Sequence, residues 1–111
     1  MPRLQKQRIP QLHDRLESVA VLARSLADEN RLRIILSVTE GKKSVSQIVE
    51  ELKISQPLVS HHLKELKRTL LVHVERQGPF IFYEIADKKI TDILSQMSAL
   101  ATDLLSKRTS F

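Results

Sequence analysis

Three observations predict a mainly α-helical domain of five helices with one β-hairpin. Apolar residues recur at steps of three and four over most of the 111 positions, and only two glycines and four prolines interrupt them. One stretch, near 71–86, alternates instead, and Arg76-Gln77-Gly78-Pro79 divides it with turn chemistry. Directly before that stretch, two short helical segments flank the turn Lys53-Ile54-Ser55.

Residues 1–9 hold Arg3, Lys6 and Arg8 with no acid, which reads as a flexible basic arm. The domain proper is expected over 10–107, followed by a tail at 108–111. Its first helix, near 11–26, is spaced by Leu12, Leu16, Val19, Ala23 and Leu26. Pro10 suits the start, where its missing N–H has no intrahelical partner to lose.

Asp28 is an N-cap for a second helix near 29–39, with Leu32, Ile35, Leu36 and Val38 inward and a left-handed Gly41 to close it. Ser44 and Gln47 have capping-box spacing and open a short helix near 45–52 that buries Ile48, Val49 and Leu52. Ser55 caps a fourth helix near 56–69, with Val59, Leu63, Leu66 and Leu70 toward the core. The hairpin alternates through Val72, Val74, Ile81, Tyr83 and Ile85. The last helix, near 88–107, carries Ile90, Ile93, Leu94, Met97, Leu100, Ala101 and Leu104.

Composition narrows the function classes. Eighteen Lys and Arg against 13 Asp and Glu give a formal charge of +5, which fits a polyanionic partner and also fits an ordinary mildly basic protein. The chain has no cysteine, so disulfides, thiolate zinc sites, iron–sulfur clusters and thiol redox sensing are excluded. No apolar run approaches the roughly 20 residues that span a bilayer, and no signal-peptide core opens the chain. A cytoplasmic protein without a membrane partner is expected. There is no glycine-rich phosphate loop, no nucleophile with an oriented base and no carboxylate pair for acid–base work, so neither an enzyme nor a cofactor is expected.

Two short helices joined by a tight turn and followed by a hairpin make a winged helix-turn-helix. The core face of the fourth helix leaves Gln56, Ser60, His61, Lys64 and Arg68 on the other side, beside Pro57. Such a strip suits a DNA major groove, with the N-terminal residues at base edges and the cations at phosphates. A solvated surface would also be polar; the position directly after the turn favours DNA. Arg76 and Gln77 are the matching choices on the wing; Lys42 and Lys43 could reach phosphates, although exposed loop lysines are the more common explanation.

Leu26-Ala27-Asp28-Glu29-Asn30-Arg31-Leu32-Arg33-Ile34-Ile35 resembles the second-helix signature of the ArsR/SmtB-type repressors. Ser55-Gln56-Pro57-Leu58-Val59-Ser60-His61-His62-Leu63-Lys64-Glu65-Leu66 resembles that family's recognition helix, and the wing through Tyr83-Glu84-Ile85 is similar as well. The resemblance covers residues 12–105. It implies a symmetric homodimer, built by the first and last helices, that blocks transcription at an operator in double-stranded DNA until an effector releases it. The apolar surplus of those helices (Val21, Leu22, Leu100, Leu104, Leu105) agrees, because a two-fold dimer would bury it.

The chain departs from the family pattern in three places. Leu70 stands where a glycine usually follows the recognition helix, and Pro79 stands where many relatives carry a wing cation. Ser44-Val45-Ser46-Gln47 replaces the cysteines of the thiol-using metal sensors. The family's other metal site needs histidines on the last helix, which here offers only Asp92 and Asp103. His61 and His62 diverge by about 100° on a helix, His61 outward and His62 partly inward as a structural residue. His13 beside Asp14 and His73 on the wing need no metal to explain them, so no metal site is expected.

The expected function is therefore sequence-specific regulation of transcription, with repression relieved by a signal not sensed through cysteine. The apolar seam leaves room for a small-molecule effector. The alternative is a winged-helix module for protein interaction or dimerisation, with weak or non-specific DNA binding. A preference between DNA sequences that survives salt separates the two.

Overall fold

The computed structural model describes residues 10–108, with the side chains of Pro10 and Gln11 left aside. The predicted basic arm lies outside the described residues. The elements are α1 (Pro10–Asp14), α2 (Leu16–Leu26), α3 (Glu29–Thr39), α4 (Val45–Leu52), α5 (Gln56–Arg68), β1 (Val72–Gln77), β2 (Phe80–Ile85) and α6 (Lys89–Leu105). This is the winged helix-turn-helix predicted from the sequence, with one correction. The expected first helix is in two pieces, so six helices rather than five occur among the described residues.

The break falls at Arg15, whose N–H bonds back three residues to the Leu12 carbonyl at 3.1 Å. Leu12 and Leu16 on either side are both exposed. Packing supplies most of a short helix's stability, and neither leucine is buried to hold that turn in register.

The core is built by the middle of the chain. Ile34, Ile35 and Val38 of α3, Ile48 of α4, Val59, Leu63 and Leu66 of α5, and Leu71 and Val72 at the start of the wing are all buried. The predicted face of α3 was turned slightly wrong: Ile34 is in the core, and Leu36 is 51% exposed. Ile34 and Ile35 are adjacent in sequence, so α3 packs across a broad stripe that touches α4, α5 and the hairpin, and Leu36 falls outside it. From α6 no side chain is buried, and from α2 only Ser25. The radius of gyration of 17.1 Å exceeds the roughly 13 Å of a compact domain of this length, because the terminal helices extend beyond the core.

The wing is an antiparallel ribbon in the register Val72↔Ile85 through Gln77↔Phe80. Its two-residue turn has Gly78 at φ +60° before Pro79, the sign pattern of a type II′ turn, which follows strand twist. Lys43 bridges Tyr83 through both backbone groups at 2.9 and 2.8 Å, which ties the wing to the loop before α4.

Candidate nucleic-acid interface

The helix-turn-helix is held by caps that the sequence foreshadows. The Ser44 hydroxyl accepts from Gln47 N–H at 3.2 Å, and the Gln47 amide oxygen accepts from Ser44 N–H at 2.8 Å, a complete capping box. Helix α4 ends at Lys53, whose φ of +58° turns the chain. Arg33 Nη2 donates to the Leu52 carbonyl at 3.0 Å and satisfies one of the orphan acceptors at that end. Ser55 then accepts from Leu58 N–H at 3.3 Å and starts α5, with Pro57 in its first turn.

The far end of α5 is closed by a Schellman motif. Leu71 N–H donates to the Leu66 carbonyl at 2.9 Å and Leu70 N–H to the Lys67 carbonyl at 3.0 Å. Leu70 occupies the left-handed position at φ +65° and is 79% exposed, so it is not the core residue its spacing suggests. The helix ends in this left-handed cap without the glycine that favours it. At the end of α3, by contrast, Gly41 has φ +153°, outside the left-handed helical well expected for it.

His62 is buried and joins three elements. Its Nδ1 lies 3.5 Å from Arg31 Nη1, and its Nε2 lies 3.7 Å from Asp28 Oδ1. Arg31 also donates to the Ser25 carbonyl at 2.6 Å and the Arg24 carbonyl at 3.2 Å, at the end of α2. Asp28 caps α3 by accepting from Arg31 N–H at 3.0 Å, and that bond above all holds its carboxyl below the usual range. Burial pushes the His62 imidazole down. Its structural role was legible in the sequence. The parts played by Arg31 and Arg33 were not singled out, although both follow the Asp28 cap.

The other predicted residues are distributed as follows. Gln56, Pro57, Ser60, His61 and Lys64 are all exposed on α5. Gln56, Ser60 and Lys64 stand four residues apart, in one row along the helix. Arg68 is exposed in the last turn, where its guanidinium grips Glu65 at 3.1 Å. Arg76 and Gln77 are exposed at the end of β1.

Lys42 and Lys43 are committed elsewhere. Lys42 pairs with Glu75 at 2.6 Å and lies 5.6 Å from the Phe82 ring centre. Lys43 is held by Glu51, Glu40 and Ser37, and its bond to Glu51 raises its pKa. Both lysines thus brace the wing and the α3–α4 loop rather than standing as exposed loop lysines.

No three His, Cys, Asp or Glu side chains gather around a common point among the described residues.

A capped helix-turn-helix, an exposed polar second helix and an adjoining hairpin together define a winged helix-turn-helix transcriptional regulator. The family model for bacterial regulatory proteins of the arsR family matches residues 28–74, from the α3 cap into β1. An uncharacterized HTH-type transcriptional regulator of Methanocaldococcus jannaschii is 33% identical over 88 residues, which cover 78% of this chain and 99% of that one. The chain belongs to the arsR family.

The HTH-type transcriptional repressor SmtB of Mycobacterium tuberculosis is 38% identical over 79 residues, 71% of this chain and 58% of that longer one. In fold the chain is similar to a homodimeric winged helix-turn-helix DNA-binding domain from Mycobacterium bovis. That likeness has a TM-score of 0.74 at 24% identity and covers 96% of this chain and 97% of the other.

Proposed function

We propose that this regulator is a dimeric, sequence-specific DNA-binding repressor of the cytoplasm that acts by binding and performs no catalysis. One observation carries the reading. The capped turn presents α5 with Gln56, Ser60 and Lys64 exposed in a single row, while Val59, Leu63 and Leu66 anchor the opposite side. Gln56, Pro57, Ser60 and His61 meet base edges in the major groove, and Lys64 meets a phosphate. Arg68 is a weaker phosphate contact because Glu65 neutralises it. Arg76 and Gln77 extend the interface from the wing.

The dimer follows from what the fold leaves uncovered. Leu16, Val19 and Leu22 of α2, and Ile93, Met97, Leu100 and Leu104 of α6, are exposed at 42% or more. A second copy packed against these helices removes that apolar surface from water. Two-fold symmetry then sets the two recognition helices about 34 Å apart, one turn of DNA. Release from the operator uses an effector that is not sensed through cysteine.

The test is fluorescence anisotropy on the DNA upstream of the chain's own gene and on a scrambled duplex, at two salt concentrations. A preference of about 10³-fold or more that persists near physiological salt is the expected result. Equal, steeply salt-dependent binding to both duplexes overturns the reading in favour of a protein-interaction module.

A further inference from the structure

The wing carries an apolar tip that the fold does not use. Phe80 is 63% exposed and Ile81 37%, at the end of the ribbon opposite the buried Val72. Gln77 stands five residue steps along the strand from Val72, so the tip projects about 17 Å from its buried root. Cross-strand register pairs Gln77 with Phe80 and Arg76 with Ile81. Gln77 and the phenyl ring of Phe80, next to Pro79, therefore share one face of the tip, and Arg76 and Ile81 share the other. Arg76 has no ion pair among the described residues, whereas Lys42 nearer the root is neutralised by Glu75.

We infer that Phe80, with Pro79 behind it, enters the DNA minor groove as an apolar wedge, while Arg76, from the other face of the ribbon, holds the flanking phosphate. The inference rests on the DNA-binding function proposed above. A minor groove about 6 Å wide is walled by deoxyribose and admits a ring edge-on. Apolar wedges there unstack a base step and bend the duplex, at least cost where the step is pyrimidine–purine. The wing would thus read deformability rather than base edges, which suits a tip with a proline where a second cation could stand. A protein partner for the same ring is the competing occupant. The unpaired Arg76 on the other face of the same tip and the recognition helix on the same domain favour DNA.

The experiment compares wild type, Phe80→Ala, Arg76→Ala and Lys64→Ala on one operator across a salt series, then on an operator whose flanking TA or CA step is replaced by GG. Phe80→Ala is expected to lose roughly 10- to 100-fold in affinity, the worth of burying a phenyl ring, with the salt slope unchanged. Arg76→Ala is expected to lower that slope by about one. The step replacement should weaken wild type and leave Phe80→Ala unaffected. Phe80 is exposed, so its replacement should leave thermal unfolding in place. Unaltered affinity of Phe80→Ala, or equal sensitivity of both proteins to the step, overturns the wedge and leaves operator binding standing. Loss of specific binding by wild type itself overturns both.

Discussion

Arg31 and His62 meet at the junction between α3 and the recognition helix, with guanidinium Nη1 3.5 Å from imidazole Nδ1. An arginine can only donate, so Nδ1 accepts and the neutral ring carries its proton on Nε2, aimed at Asp28. Through Arg31 the same imidazole is linked to the last carbonyls of α2. One buried ring therefore fixes the orientation of α5 against α2 and α3.

Stability should fall in mild acid for this reason. Burial lowers the His62 pKa in the folded protein, while the unfolded chain titrates near the ordinary value of about 6.5. Between those two values the unfolded state binds the extra proton, so the stabilisation is complete above about pH 6.5 and declines as pH falls toward the folded value. Urea midpoints measured from pH 7.5 to 5 at fixed protein concentration should drop for wild type and drop less for His62→Gln. Parallel curves would assign the acid sensitivity to another group.

Leu70→Gly should stabilise the protein. A non-glycine residue in the left-handed region costs about 1–2 kcal/mol, and glycine's extra freedom in the unfolded chain returns roughly 0.4–1 of that. Leu70 is 79% exposed, so its side chain contributes little burial to lose. A gain of about 0.5–1 kcal/mol is expected, read as a rise of a few degrees in Tm at constant protein concentration. A fall in Tm would mean that the side chain has a packing role, in the dimer or elsewhere.

The fold was legible where local chemistry is self-sufficient. Asp28, Ser44 and Ser55 all cap the helices they were expected to cap, and Gly78-Pro79 makes the hairpin turn. It was less legible where helical period alone had to decide a direction. Leu36 and Leu70 both fit the spacing of a core face, yet Ile34 takes the core position in α3 and Leu70 lies beyond the end of α5. The ion pairs of Lys42 and Lys43 were not legible, because their partners Glu75 and Glu51 approach only when the chain folds. Exposed α5 positions followed from register with the buried leucines. Contact with DNA is a property of the complex, which the sequence could suggest through the polar strip after the turn and through resemblance.

The uncovered helices give a test of assembly. Leu100 is 56% exposed and lies outside the core formed by α3, α4, α5 and the wing. Leu100→Glu should place charge in the apolar seam of a two-fold dimer, twice per interface. Sedimentation equilibrium is expected to show a shift toward monomer, and affinity for a two-half-site operator to fall with it. Circular dichroism should retain the helical signal of the core. A variant that remains fully dimeric would exclude α6 from the interface.

The recognition helix supports a prediction in which two substitutions behave differently. Lys64 and Gln56 are exposed in one row of α5, eight residues and just over two turns apart, with Gln56 at the capped start. A lysine on a phosphate reads no sequence, so Lys64→Ala should weaken specific and scrambled duplexes alike and reduce the salt slope by about one. A glutamine can bond an adenine through N6 and N7 together. Gln56→Ala should therefore leave the slope unchanged and relax preference at one base position in each half-site, by about 1–3 kcal/mol. Competition binding against operators substituted one base pair at a time locates that position. Equal losses for both variants on every sequence would remove Gln56 from base reading and move the specificity toward Ser60 and His61.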